Sequence, residues 1–517
     1  METRERATNR GWLDRIERLG NALPDPAFIF VALILLVMLV SLMGAGAGWS
    51  ALNPSNGKPI LVESLFSAAN LRRLLTEMPQ TLTAFPPLGF VLVVMLGAAV
   101  SERAGLFAAL IGGAVRRLPV RYLTPCTYLV GIFSHQAADA AYVVLIPLAA
   151  IVYAEAGRHP LMGIAAAYVG ISGAFAGNAI PGQFDVLMLG ITQAAAQLLV
   201  PGYPLNPLGN WWFSAALGLG LTPVVWFVGD RIVEPRLAAW KPDGPGAELA
   251  PPIGRLTTRQ QRGLNQAGLA AIVIVGMFAA LTLWPGFHPL IDDQASGAAR
   301  LTPFYMALIA GFFLLFFTAG WAYGSAAGTI GSHRDVVRMM GDGVRDLAPY
   351  VVIVFFAAHF VALFSWSNLG PVMAIKGAEQ LRELALPLPL MLVTLLVLSS
   401  VFDLLIGSAS AKWSVMAPIA VPLLMLLGVS PEMTTAAYRM GDSIFNIVTP
   451  VASNFVLVLV MCQRWVKGFG VGSLMAMMLP FSIAIGLYGL VLVCGWAGLG
   501  LPVGPGAPAV YQIPVVR

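Results

Sequence analysis

Long apolar runs without a charge set the pattern of this chain. Residues 27–43, 88–100, 270–283, 306–317, 386–401 and 477–493 carry no Asp, Glu, Lys or Arg. A helix needs about 20 apolar residues to cross a bilayer. In hydrocarbon a lone segment must satisfy its own backbone, which a helix does and an open strand does not. The runs predict an all-α polytopic membrane protein with about nine transmembrane helices. The first run is too long for a cleavable leader, and no soluble domain follows the small residues at 44–48, as it would after a genuine cleavage site.

Two stretches interrupt this pattern, and they do so in the same way. In the first, a polar tip (Ser134-His135-Gln136-Ala137-Ala138-Asp139) leads into an apolar arm that runs to Pro160. A helix follows, broken between Gly170 and Gly182 around Ser172, Asn178 and Pro181. In the second, the tip Gly407-Ser408-Ala409-Ser410-Ala411-Lys412-Trp413 leads to Pro431, and the break spans Gly441 to Pro450 with Asp442, Ser443, Asn446 and Thr449. Pro147, Gly157, Pro160, Gly170 and Ser172 recur as Pro418, Gly428, Pro431, Gly441 and Ser443, each 271 positions on (418 − 147; 443 − 172). The reading is two re-entrant helical hairpins in two repeated halves, each followed by a discontinuous helix. Paired Gly/Pro-interrupted segments point to the site of a secondary transporter. A broken helix bares N–H groups at one new end and C=O groups at the other. The first favour anions; the second, with Ser, Thr and Asn oxygens, suit Na⁺.

Composition agrees: of 517 residues, 58 % are hydrophobic and 11 % charged, against about 25 % charged in a soluble domain. The net charge of +5 reads as a positive-inside signature rather than a nucleic-acid surface. Arg4, Arg6, Arg10, Arg15 and Arg18 place the N-terminus in the cytoplasm; Arg116, Arg117 and Arg121, then Arg334, Arg338 and Arg345, mark further cytoplasmic loops. Five blocks follow: an N-terminal segment 1–24, a first membrane half 25–229, a Pro/Gly-rich cytoplasmic linker 230–266, a second half 267–500, and a tail 501–517 expected to be extended and poorly ordered. The loop 50–83 is assigned to the periplasm. Cys126, Cys462 and Cys494 form no metal or disulfide pattern and read as buried apolar side chains.

Ionisable residues in apolar surroundings carry the strongest functional signal, since each costs ~3 kcal/mol or more to insert. They are Asp139, Asp185, Asp403, Lys412, Arg439 and Asp442. Arg439 and Asp442 lie three apart on a helix and are expected to pair; Arg439 also suits a substrate carboxylate. Asp185 follows the first break and reads as a proton carrier, an orienter of a cation or a solvated carboxylate. Trp413 suits a substrate ring or an interfacial anchor. Asp403 lies on the cavity wall or has a structural role, and His135 is a proton-linked or a structural group. Ser134, Asp139, Asn178, Asp185, Ser408, Ser443 and Asn446 are the candidates for a coupling ion, Na⁺ or H⁺. Na⁺ is the sole metal considered; no cofactor is expected. His159, His288, His333 and His359 have no ligand spacing. No phosphate-binding Gly-rich loop, His-Glu-x-x-His or Gly-x-Ser-x-Gly occurs, so neither ATP-driven transport nor an enzyme is indicated. Two occluding hairpins argue against a channel.

At these regions the chain resembles the AbgT family of p-aminobenzoyl-glutamate transporters. The likeness rests on Phe85-Pro86-Pro87-Leu88-Gly89, DAAYVVLIPLAA at 139–150, Gly157-Arg158-His159-Pro160-Leu161, Gly190-Ile191-Thr192-Gln193, Ile232-Val233-Glu234-Pro235-Arg236-Leu237, GSASAKW at 407–413, Met416-Ala417-Pro418-Ile419, Tyr438-Arg439-Met440-Gly441-Asp442-Ser443 and LPVGPGAP at 501–508. It covers nearly everything between Leu23 and Pro508. The resemblance implies a homodimer of nine-span subunits, each with two hairpins, in which a transport domain moves against a dimerisation domain. It implies a fold shared with divalent-anion sodium symporters, and uptake of folate catabolites or proton-coupled export of sulfonamides. Family functional positions fall on Asp185, Ser410, Trp413, Pro431, Arg439 and Asp442. The chain departs from the family pattern at His135, where Asn is expected, at Asp403 for Asn, at Val186 for Pro, and along Val451-Ala452-Ser453-Asn454. These lie at tips and breaks and bear on substrate and coupling ion rather than on fold.

The expected function is secondary transport, in a bacterial inner membrane, of p-aminobenzoyl-glutamate or a related small aromatic dicarboxylate. The expected substrate-binding residues are Asp185, Ser410, Lys412, Trp413, Pro431, Arg439 and Asp442, with Lys412, Arg439 and helix N-termini offsetting the anion. The alternative is a proton-driven exporter of sulfonamide-type antimetabolites. The expected partners are a small organic anion, membrane lipid and a second copy of the chain, with no nucleic acid.

Overall fold

A computed structural model describes residues 26–52, 58–115, 119–137, 140–204, 206–238, 240–245, 256–295, 300–384, 386–403, 406–450 and 452–512. Asp139, the arginines before residue 26, and Arg116 and Arg117 lie outside these described residues.

Eight of the described helices are long and apolar enough to cross a bilayer. Seven are Ala27–Gly46, Pro86–Ala104, Trp211–Leu237, Thr258–Leu283, Thr302–Ala327, Ala348–Trp366 and Val471–Gly498. Together with the two broken helices below, these seven make nine crossings. The eighth, Ala409–Leu426, is one arm of a hairpin. The outer helices keep apolar side chains on the surface: on Thr258–Leu283, Leu269 and Ile272 are 63 % and 69 % exposed. Such a belt fits a hydrocarbon solvent and not water. The protein is a multi-pass membrane protein.

The two interrupted regions fold alike. The first hairpin is Leu123–Phe133, a tight turn Ser134–Ala137, and Ala140–Glu155. The second is Leu388–Asp403 and Ala409–Leu426. Its tip is shorter than expected: Ala409 to Trp413 already form the first turn of the second arm, because Ser408 caps that helix by accepting from Ala411 N–H. Each hairpin leaves through a left-handed glycine, Gly157 or Gly428. A proline-led helix then begins, Pro160–Tyr168 capped by His159 and Pro431–Phe445 capped by Ser430.

The first of these helices widens into a π-turn at Val169–Gly173, breaks, and resumes as Gln183–Ala196. The second runs unbroken through Gly441, Asp442 and Ser443 to Phe445, so its break starts at Asn446, later than expected; it resumes as Ser453–Trp465. Gly170 and Gly441 occupy matching close approaches. A Cβ on Gly170 would lie 2.5 Å from the Tyr128 carbonyl oxygen of the first hairpin, and one on Gly441 would lie 2.2 Å from that of Leu396 in the second. Only glycine allows each broken helix to seat against its hairpin.

The repeats point opposite ways. At the base of the first hairpin, Arg158 pairs with Asp230 (2.6 Å) and Glu234, and His159 Nε2–H donates to Trp240 O; all three partners lie where the linker begins. At the base of the second, Ser430 N–H donates to Ala509 O and Tyr511 N–H to Gly428 O. The helix Trp211–Val228 starts beside the tail, Phe213 N–H donating to Val503 O, and reaches the linker at its other end. One hairpin therefore opens at the linker end and its copy at the tail end, the arrangement of inverted repeats. The tail is extended, as expected, but over 501–512 it is pinned rather than loose. Both hairpins, both broken helices, Trp211–Val228 and Val471–Gly498 share one large apolar core. Separate clusters join Ala27–Gly46 to Ala348–Trp366 and Pro86–Ala104 to Thr302–Ala327. A short β-ribbon, Ser50–Leu52 on Pro59–Leu61, follows the first span. The three cysteines are free.

Candidate transport site

Both tips and both breaks converge on one cavity of about 480 Å³. His135 lines it from the first tip, and Gly407, Ser408 and Ser410 from the second. Ser172, Phe175 and Gln183 enter from the first break, and Asn446 and Asn454 from the second. Val91, Met95 and Tyr350 close the remaining side from Pro86–Ala104 and Ala348–Trp366. Phe175 and Phe184 form an aromatic wall with centroids 4.1 Å apart, and His135 meets Phe175 edge-on. His135 Nε2–H donates to Gly170 O, joining the first tip to the first break.

The charged residues stand behind this lining. Asp185 and Arg439 pair at 2.7 Å, almost wholly buried. Asp185 Oδ2 also accepts from Asn178 Nδ2 (2.9 Å) and Gly182 N–H (2.8 Å), so the carboxylate caps the resumed helix. Arg439 lies over the Phe184 ring, 5.3 Å from its centroid, one aromatic layer from the cavity. Its Nε and Nη2 have no hydrogen-bond partner among the described residues. Lys412 lies between two carboxylates, 2.7 Å from Asp403 and 2.6 Å from Asp442, and Asn446 Nδ2 donates to Asp442. The expected Arg439–Asp442 pair is corrected: each prefers a partner on another segment.

Trp413 is fully buried, stacked on Tyr438 at 4.2 Å, and its Nε1–H donates to Thr192 Oγ1. Its ring packs inside the protein, away from the cavity lining. Pro431 starts the second broken helix at the far base of the hairpin. Ser443 Oγ accepts from Ala176 N–H across the two halves, and Tyr168 O–H donates to Asn446 O. Ser134 Oγ donates to Val130 O within its own arm. Of the residues expected to bind substrate or coupling ion, Ser408, Ser410 and Asn446 line the cavity. Asp185, Asn178, Lys412, Arg439, Asp442 and Ser443 form the layer behind it. Asp139 lies outside the described residues.

Two further chambers flank the central one. Phe85 and Pro86 border a cavity of about 370 Å³ toward the tail end, and Ala104 and Gly105 one of about 540 Å³ toward the linker end. The helix between these markers spans about 27 Å at 1.5 Å per residue, so the three are strung across the membrane. Phe90 and Pro87 packed on Gly190, and Tyr350 O–H donating to Pro87 O, lie between the central and tail-end chambers.

A family profile described as "AbgT putative transporter family" matches residues 11–511. The chain belongs to the AbgT family. It is 33 % identical to the p-aminobenzoyl-glutamate transport protein of Escherichia coli K12, over 96 % of both chains. The crystal structure of the Alcanivorax borkumensis YdaH transporter superposes with a TM-score of 0.87 at 37 % identity, over 93 % of this chain and all of that one. Neisseria gonorrhoeae MtrF, reported to illuminate a class of antimetabolite efflux pumps, gives 0.89 at 38 %, over 96 % and all respectively. Within this AbgT chain, sequence reasoning missed Phe175, Phe184 and Gln183, and marked Asn454 only as part of a departure from the family pattern. Asn454 and Gln183 flank the breaks and were open to notice as polar residues in apolar context. The two phenylalanines carry no such signal, since a membrane segment is full of them.

Proposed function

We propose that this protein is a secondary carrier of p-aminobenzoyl-glutamate or a related small aromatic dicarboxylate, driven by a Na⁺ or H⁺ gradient. The observation that carries the reading is the single chamber at which both hairpin tips and both helix breaks meet, with a partly unpaired arginine one ring behind it. Phe175 and Phe184 offer faces to the substrate ring. Ser408, Ser410, Gln183 and Asn446 offer polar contacts. When Phe184 swings aside, Arg439 presents Nε and Nη2 as a planar fork to a carboxylate, while Asp185 holds the guanidinium in place. Lys412, Trp413 and Asp442 support the second tip from behind, and Pro431 sets the start of the second broken helix at the far base of the hairpin. The hydroxyl and amide oxygens of Ser134, Asn178, Ser408, Ser443 and Asn446, with Asp185 and Asp139, serve the coupling ion. The similarity to the Escherichia coli transporter supports the substrate class. The carrier works as a homodimer in a bacterial inner membrane with its arginine-rich N-terminus in the cytoplasm.

The test is flux of radiolabelled p-aminobenzoyl-glutamate in proteoliposomes under imposed Na⁺ and pH gradients in turn. Arg439→Ala abolishes flux and leaves dimer assembly intact; flux equal to wild type removes Arg439 from the mechanism. A second reading, proton-driven export of sulfonamide-type antimetabolites, draws on the similarity to MtrF. Drug susceptibility with and without expression separates the two.

A further inference from the structure

The buried charges do not balance. Arg439 and Asp185 cancel, but Lys412 faces two carboxylates, Asp403 and Asp442, and all three are at most 2 % exposed. If all ionise, the cluster holds one uncompensated negative charge in a low-dielectric interior, where an unpaired ion costs several kcal/mol. The two carboxylates are not equivalent. Asp442 Oδ1 lies at ion-pair distance (2.6 Å) from Lys412 Nζ but has no hydrogen-bond partner among the described residues, and its Oδ2 accepts from Asn446 Nδ2 (3.3 Å), so both of its oxygens have a contact that stabilises the anion. Asp403 accepts from Lys412 on Oδ1, and its Oδ2 has no hydrogen-bond partner among the described residues. The other titratable groups facing Asp403 are Tyr438 on the second broken helix and Tyr168 on the first, and neither adds positive charge.

We propose that Asp403 binds the coupling proton, on Oδ2, so that the carrier described above is driven by H⁺. Its position suits the task. Asp403 ends the first arm of the second hairpin, and Gly407 and Ser408 of the tip that follows line the central cavity. Ser399 and Ser400 on the same arm donate to the Tyr438 and Gly441 carbonyls of the second broken helix. With Asp403 protonated, Lys412 belongs to Asp442 alone and the cluster is neutral. Release of the proton restores the excess charge and loads both carboxylates onto Lys412, which displaces the tip. One proton is bound and one released per cycle, with no other bond made or broken.

The proposal rests on the carrier reading, but its primary test does not need the substrate. Infrared spectra of the purified full-length protein in lipid at neutral pH are compared between wild type and Asp403→Asn. The expected difference is loss of a protonated-carboxyl C=O band, unchanged by added Na⁺. Loss of an ionised-carboxylate band instead, or disappearance of the wild-type C=O band on adding Na⁺, overturns it. In proteoliposomes, Asp403→Asn loses pH-driven accumulation of p-aminobenzoyl-glutamate, and Asp403→Glu, which keeps a titratable group, regains it. Accumulation by the Asn variant, or equal loss in both, makes Asp403 merely structural and overturns the proposal. If wild type moves no p-aminobenzoyl-glutamate at all, the substrate reading fails while the infrared result still decides the proton site.

Discussion

Trp413 shows how a residue picked for one role can fill another. Its ring is sandwiched inside the protein against Tyr438, and its single donor is used on Thr192, which itself meets Thr435 at 2.7 Å. Three segments are joined through that indole: the second hairpin arm and the resumed and second broken helices. Trp413→Ala should therefore destabilise by about 3–5 kcal/mol, as large aromatic truncations in cores do. Trp413→Phe keeps the stacking and loses one hydrogen bond, about 1 kcal/mol. Thermal unfolding in detergent checks both; equal melting temperatures for the two variants contradict this structural role. Arg439 differs in kind, because Asp185 uses one of its amino groups and leaves others unpaired in the interior.

At the level of elements, the two glycine contacts govern how hairpin and broken helix fit. Gly441→Ala forces its Cβ against the Leu396 carbonyl, and over-packing of this kind costs about 1–3 kcal/mol. Gly268→Ala, on an outer helix with nothing within 4 Å of its Cβ, should be neutral or gain up to about 1 kcal/mol from helix propensity. Side-by-side melting curves test the contrast. These elements were legible in the sequence because their signals are local. Pro160 and Pro431 start helices, Gly157 and Gly428 end arms, and the common interval of the two sets betrays the duplication. Partners were not legible, because they are set by packing across the chain. Arg439 and Asp185 are 254 residues apart, and Lys412 reaches two segments besides its own. The spacing of Arg439 and Asp442 gave them a common face but no information on stronger partners nearby.

On the scale of the whole molecule, the cavities and the opposed hairpins belong to one design. Three cavities border Pro86–Ala104, one at its tail end, one at its middle and one at its linker end, and the middle one is where both hairpin tips and both breaks meet. The tail holds the base of the second hairpin. Removing residues 501–517 deletes the bonds to Phe213, Gly428 and Ser430 and that of Asn206 Nδ2 to Pro505 O, on the order of 4 kcal/mol together. A truncated chain should melt lower and lose flux; unchanged melting in detergent contradicts a fastening role. The same contacts order events during synthesis. The second hairpin leaves the ribosome well before the strand that fastens it, with the helix Val471–Gly498 made in between. The first hairpin's clasp at Asp230 and Glu234 is thus available soon after the hairpin is made, whereas the second hairpin's fastening strand comes only after the last span.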